Sequence, residues 1–480
     1  MKKKILFKIN SEYSRFYIKL ALKLQKKYNY NLSFLVNNIT VKKIVESILP
    51  NSAPLMISDL KKKKINKNKL YSKSKRIESF YNTKLSLIIS QDRSFGQGYL
   101  YNVSKVPEIK RSNWTYDEIL SYYVDLIEKY EKNISDKEIY IEHILSPVAH
   151  MVCKKFDVKC FGLASAKYED RLIWVTSPYL TNAKYIERIK KNLTKKNNVS
   201  KNIKYKIDEE ASRRIKKQEV NFFTILKRSI EILYSETKSL ILRTKRRNTY
   251  SYYAWLIPNI RKFTNHLYLK KIGLNLDLIN NKKFVFFPMH LEPEIALLNV
   301  SPEFSNSMEC ITWISKSLPF NYSLVLKEHP ASLSVRDKNY YRMLNKIPNV
   351  YFSDPSISSW ELIKRSTFVS TITGTVGFES IFFKKPVISF GKNQIINNLP
   401  SVFYCSNYEE TNYNIDKILK ILDDKELLKF SRKVLYDSLI DSSFDLPELK
   451  FIGQNQDVSD NTIDLAFNNL INQHPDAFKI

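Results

Sequence analysis

Short apolar runs, each ending in a polar, proline- or glycine-containing turn, recur along this 480-residue chain and set its expected skeleton. Ile5 to Ile9 and Leu32 to Val36 predict strands on either side of an amphipathic helix from Ser14 to Lys26, the β-α-β opening of a parallel sheet. Leu85 to Ser90 reads as a strand running into Gln91 to Tyr99. Glu138 to Ile141 reads as another, leading into Glu142-His143, with Ser146-Pro147 starting a helix and Lys159 to Leu163 as the next strand. In the second half, Lys283 to Phe287, Tyr322 to Leu326 and Thr367 to Ile372 predict buried strands, and Val387 to Phe390 a short one closed by Gly391. Val376 to Phe383 has helical character. Lys61 to Arg76 reads as a solvated helix or loop. The chain after Glu409 is mostly amphipathic helix, and the polar tail beyond Phe451 is expected to be loosely held.

The length exceeds one ordinary core, so two α/β domains are expected, each with a Rossmann-like parallel sheet. The boundaries read as 1–180 for an N-terminal domain, 181–275 for a basic helical insertion, 276–425 for a C-terminal domain, and 426–480 for terminal helices and tail. Charge adds a partner to this picture. Lys and Arg number 78 against 48 Asp and Glu, a net +30, which asks for something anionic. Residues 181–250 alone hold 20 Lys/Arg against 7 Asp/Glu, and Tyr250 to Tyr268 then adds Trp255, Phe263 and several tyrosines. This segment is either a solvated helical connector or a surface that rests on anionic lipid. No nucleic-acid motif accompanies the charge, and nucleic acid is not expected as a partner. The four cysteines lack C-x-x-C spacing and read as reduced structural thiols. No Asp-x-Asp motif or His/Cys cluster suggests a metal, and no cofactor is expected. The apolar stretch after Met1-Lys2-Lys3-Lys4 ends too soon for a signal peptide, and no run is long enough to span a bilayer.

The candidate chemistry sits where the strands end. His329 and Pro330, after Lys327-Glu328, lie at the carboxyl end of one strand, where open α/β sheets bind ligands. Thr373-Gly374-Thr375 forms a turn between a strand and a helix, whose free N–H groups and positive dipole end suit phosphate. Glu379 falls in the first turns of that helix. His290-Leu291-Glu292-Pro293-Glu294 follows a third strand, with Pro293 suited to open a helix and Glu294 held ionised in its first turn. Extended backbone would point Glu292 and Glu294 to one face; a helix start would splay them, leaving one for the site. In the first half, Asp92 and Arg93 precede the permissive Gly96-Gln97-Gly98 loop, and Glu142-His143 ends a strand. Both pairs are candidates for gripping an acceptor, with Asp92 also a candidate for acid/base work. A second His-Pro pair, His474-Pro475, follows no strand and reads as a decoy.

The order strand–His-x-Glu-x-Glu, strand–Lys-x-His-Pro, strand–Thr-Gly-Thr-x-Gly-Phe-Glu, then Lys-Lys-Pro-Val, resembles the C-terminal half of bacterial capsular polysaccharide glycosyltransferases. It is most similar to the capsule Kdo transferases that use CMP-Kdo. The match covers residues 283–391 well and the first half loosely. The resemblance implies the GT-B fold, two Rossmann-like domains facing each other across a cleft. It implies nucleotide-sugar binding by Lys327, His329, Pro330, Thr373, Gly374, Thr375 and Glu379. It implies a catalytic carboxylate about thirty-five residues before His329-Pro330, a position that favours Glu294 over Glu292. His290 then reads as an acceptor-side or structural residue. The expected activity is metal-independent transfer of a sugar to a surface-polysaccharide or lipid-linked glycan, in the cytoplasm at the inner face of the membrane. This chain departs from the Gln-x-Glu-Asp-Asp type sequence of those enzymes at His290 to Glu294, which leaves the sugar and the stereochemistry open. A UDP-N-acetylhexosamine 2-epimerase-like isomerase and a non-catalytic polysaccharide-binding protein are the rival readings.

Overall fold

The computed structural model describes residues 3–10, 13–57, 65–92, 114–180, 182–195, 203, scattered positions between 223 and 237, 252–280, 283–292, 295–304, 306–446 and 457–478. The chain forms two compact units, Met1–Gln91 with Trp114–Glu210 and Lys433–Ile480, and Asp92–Asn113 with Ala211–Arg432. This division differs from the sequence expectation. The basic segment is shared between the units, and the terminal segment belongs with the N-terminal one.

The first unit is built on a seven-stranded sheet. Its strands are β1 (Lys4–Ile9), β2 (Asn31–Val36), β3 (Leu55–Met56), β4 (Ile139–Glu142), β5 (Lys159–Ser165), β6 (Arg171–Val175) and β13 (Phe444–Asp445). Their order is β13-β6-β5-β4-β1-β2-β3. Strands β1 to β5 pair in parallel, and β6 and β13 add antiparallel edges. The chain runs outward from β1 in one direction and from β4 in the other, so a topological switch point lies between them. Helix Ser14–Tyr28 packs Phe16, Tyr17, Leu20, Ala21 and Leu24 into the core beneath Ile5, Phe7 and Ile9.

Two sequence expectations fail in this unit. Leu85–Ser90 is a helix, not a strand. Its buried residues Leu85, Ile88 and Ile89 recur at helical spacing, and the Glu78 carboxylate accepts the Leu85 N–H at 2.9 Å. Packing and capping override the β-leaning composition of the run. The described part of the tail, residues 457–478, is also not loosely held. Helix Asp460–Gln473 buries Ile463, Ala466, Phe467 and Leu470 in the same core, and the Trp174 indole donates to the Ala466 carbonyl. The polar residues there are its solvent face. His474 caps this helix with its ring 4.8 Å from that of Phe161, an interior packing role.

The second unit carries a six-stranded, all-parallel sheet of β7 (Lys283–Pro288), β8 (Tyr322–Lys327), β9 (Val350–Phe352), β10 (Phe368–Thr371), β11 (Val387–Ser389) and β12 (Val402–Tyr404). The order is β12-β11-β10-β7-β8-β9. The switch point therefore lies between β7 and β10. The strands read as continuous apolar runs because helices cover both faces of the sheet: Phe287, Leu324, Leu326 and Ile388 enter one core, and Phe284, Phe286, Val325 and Val369 the other. Register aligns Pro288 with Lys327, which brings Met289-His290 and Glu328-His329 to the same edge of the sheet. Among the described residues no helix is long and apolar enough to cross a membrane. All four cysteines are buried and unbridged.

Candidate functional site

The most developed site lies at the β7/β10 switch point of the second unit. β10 ends at Thr371, and helix Thr375–Phe382 begins four residues later with Gly374 as its cap. Among the described residues no side chain caps this helix, and its first turn carries no acid, an arrangement whose dipole end suits an anion. Gly374 is required by close approach. A Cβ there would lie 2.9 Å from Thr371 Oγ1 and 3.3 Å from His290 Cε1. The Gly374 N–H donates to Thr371 Oγ1 at 3.1 Å, which tightens the turn. Thr373 is buried, whereas Thr375 is exposed at the helix start. Glu379, one turn further, is half-buried and accepts from the Trp360 indole at 3.0 Å.

His290 is bonded to this turn, which fits the structural of its two expected roles. Its ring is buried, and Nε2 accepts from the N–H groups of Ile372 and Thr373, each at 3.3 Å. It therefore ties the end of β7 to the turn after β10, with its proton on Nδ1.

His329 lies two residues past the end of β8. The residue is exposed, and Nδ1 accepts the Ala331 N–H at 3.2 Å. Crowding by protein around the ring, and then the Arg336 charge, push its pKa below the usual histidine value. The neutral ring at neutral pH thus carries its proton on Nε2, a fixed hydrogen-bond donor. Pro330 follows, half-buried.

Lys327 differs from its expected role. Its ammonium donates to the Pro355 and Ile357 carbonyls, at 2.9 and 2.5 Å, and braces the loop after β9. Burial pushes it down to about 8, with Asp354 opposing.

The residue that sequence reasoning missed is Arg336. It is only 2% exposed, and it bridges two carboxylates: Nη1 to Glu292 Oε2 at 2.6 Å and Nε to Glu328 Oε2 at 2.7 Å. Its Nη2 donates to the His290 carbonyl at 2.8 Å, and the Tyr340 ring lies 4.7 Å from its Cζ. Glu292, a catalytic candidate from sequence, is consequently a structural carboxylate. Its other oxygen accepts from Ser307 Oγ at 2.5 Å, and it is 2% exposed. Burial pushes the Glu328 carboxyl up, partly opposed by Arg336. Glu294 and Pro293 lie outside the described residues.

The first unit has its own switch point, between β1 and β4. His143 directly follows β4, with its ring 4.5 Å from that of Tyr13 and its Nδ1 3.0 Å from the Tyr17 hydroxyl. Burial lowers its pKa to about 4, so the ring is neutral. Glu142 does not line this point as expected. Its carboxylate takes the Lys8 ammonium at 2.5 Å, the Tyr140 hydroxyl at 3.0 Å and the Ser146 N–H at 3.1 Å, which locks β4 to β1 and to the following helix. Asp92 is half-buried at the end of a described segment, and Arg93 lies outside the described residues.

Residues 187–395 match the model of a family described as capsule polysaccharide biosynthesis protein. No curated protein matches the chain. Among solved structures, a glycosyltransferase from Rickettsia africae is similar at 13% identity over 100% of this chain and 99% of its own, with a TM-score of 0.30. The β-Kdo 2,7 transferase KpsC of Thermosulfurimonas dismutans is similar at 14% identity over 76% and 94%, TM-score 0.31. A UDP-GlcNAc 2-epimerase from Methanocaldococcus jannaschii is similar at 12% identity over 91% and 100%, TM-score 0.24. Likenesses of this depth carry no chemistry. The family match is different in kind, because it contains the His290 turn, the Lys-x-His-Pro strand end and the Thr-Gly-Thr helix start: over residues 187–395 the chain is similar to the capsule polysaccharide biosynthesis family.

Proposed function

We propose that the chain is a glycosyltransferase that moves a sugar from a nucleotide-sugar donor, CMP-Kdo-like in preference to UDP-linked, to a surface-polysaccharide or lipid-linked glycan. The observation that carries the reading is the uncapped start of helix Thr375–Phe382 beside two neutral, oriented histidines. In transfer, the acceptor hydroxyl oxygen bonds to the anomeric carbon and the bond to the phosphate oxygen breaks. The phosphate leaves with the electron pair, and the hydroxyl proton passes to a base. Charge grows on the departing phosphate. Helix N–H groups, the Thr375 hydroxyl and the His329 Nε2–H are fixed donors for it, and preorganised donors of this kind are worth roughly 10²–10³ each in rate. Glu379, held by Trp360, suits the ribose hydroxyls. Glu294 is the proposed catalytic carboxylate, acting as base or stabilising the oxocarbenium-like centre. His143, Asp92 and Arg93 are the proposed acceptor-side residues.

An anionic membrane surface is the proposed location, on the cytoplasmic face where lipid-linked acceptors would be met. Phe223, Leu226, Ile230 and Tyr234 recur at helical spacing and are 76%, 47%, 59% and 68% exposed. They sit within the segment of 20 basic and 7 acidic residues, so an apolar face and a positive field coincide.

The test is to supply CMP-Kdo and UDP-sugars with and without a lipid-linked glycan, and to follow nucleotide release and acceptor mass. Acceptor-dependent release supports transfer. An isomerised nucleotide sugar formed without acceptor would replace the reading with an epimerase. Nucleotide binding with neither product would leave a polysaccharide-assembly protein without chemistry.

A further inference from the structure

The Glu292–Arg336–Glu328 triad is a poor choice for stability alone, since buried ion clusters are often matched or bettered by apolar packing of the same volume. Its connections suggest another use. Arg336 reaches the end of β7 through the His290 carbonyl, which also accepts from Ser332 Oγ at 3.3 Å. It reaches the end of β8 through Glu328, whose Oε1 accepts the His329 N–H at 2.7 Å. The two histidines are held in opposite tautomers, His290 with the proton on Nδ1 and His329 with it on Nε2.

We propose that Arg336 is the positioning residue of the donor site: by gripping Glu292, Glu328 and the His290 carbonyl together, it sets both histidines in the tautomers that shape the phosphate pocket. The proposal rests on the nucleotide-sugar reading for its ligand, but its geometric part stands without it. A lysine could not take over, because a single ammonium lacks the planar fork that reaches three acceptors in fixed directions. The three partners lie 44, 8 and 46 residues away from Arg336, so one side chain coordinates elements that nothing local would align.

The chain has six histidines, which makes selective nitrogen-15 histidine labelling of the full chain practical. The neutral variant Glu292→Gln/Glu328→Gln/Arg336→Met keeps volume and removes all three charges. It is expected to melt cooperatively while the His290 and His329 ring nitrogens move from fixed-tautomer to averaged shifts. CMP or UDP affinity should fall at least tenfold. The His143 and His474 signals should stay in place. Unchanged His290 and His329 signals with nucleotide affinity within twofold would overturn the proposal and leave the triad as packing. If the triple variant does not fold, Arg336→Lys carries the test, with the same expected loss of fixed tautomers and the same overturning result. Should the wild-type chain bind neither nucleotide, the donor reading fails, and the ring signals alone still decide whether Arg336 sets the tautomers.

Discussion

Glu292→Ala separates the structural reading of that carboxylate from a catalytic one. The substitution removes one partner of a buried pair and leaves Arg336 with Glu328 alone, beside the emptied contacts of Ser307. Breaking a buried pair in this way costs about 3–5 kcal/mol. At about 2–4 °C per kcal/mol for a unit of this size, the melting of the second unit should drop by roughly 6–20 °C. Glu292→Gln is the control. Its amide oxygen can still accept from Arg336 and its amide nitrogen can donate to Ser307, so the cost falls to about 1–2 kcal/mol. Turnover of Glu292→Gln should stay within about tenfold of wild type, since the side chain is buried and both its oxygens are taken by Ser307 and Arg336. Calorimetry is the assay, because two units need not melt as one transition. A Glu292→Gln chain that melts normally but loses turnover about a thousandfold would refute the reasoning and return Glu292 to the chemistry.

Three further outcomes are expected. Glu294→Gln should bind nucleotide normally and lose on the order of a thousandfold in transfer, checked by single-turnover product formation; near-normal turnover would pass the role to Asp92. The first unit should lose stability in acid, because burial lowers His143 and His474 from 6.5 to about 4. The fold favours the neutral rings, so this stability is present above pH 6.5 and is lost as pH falls towards 4. The loss is up to about 3 kcal/mol for each ring, and His143→Gln/His474→Gln should flatten the denaturation profile. Binding to anionic vesicles should weaken steeply with salt, given about 1 kcal/mol per basic residue near the surface and a Debye length of about 10 Å at 0.1 M. Equal sedimentation with neutral and anionic vesicles would leave the basic segment as a plain connector.

The parts of the molecule that sequence made readable are those with local causes. Strands β7, β8 and β10 are apolar runs stopped by Pro288, His329-Pro330 and Gly374, so both the strands and the points where they end were visible. The misread parts have distant causes. Leu85–Ser90 has strand-like composition, and only its packing and the Glu78 contact make it helical. Helix Asp460–Gln473 looked like a polar tail because half of it faces solvent, while the core it completes was built 440 residues earlier around Phe16 and Leu20. Arg336 carried no motif. The only hint was two acids, Glu292 and Glu328, at the ends of strands that pair side by side and so call for a shared cation. His290 was noticed with a structural and an acceptor-side reading both open, since its bond to the Ile372 and Thr373 amides spans more than eighty residues.

The central claim is that the β7/β10 switch point binds the phosphate of a nucleotide sugar, and titration calorimetry of the full chain with CMP, UDP and their sugars tests it most directly. The account predicts saturable binding of at least one of them in the sub-millimolar range. It predicts a loss of tenfold or more in His329→Ala, about 1.4 kcal/mol, with melting unchanged because the residue is exposed. No heat from any nucleotide at millimolar concentration, or binding that His329→Ala leaves untouched, would contradict it.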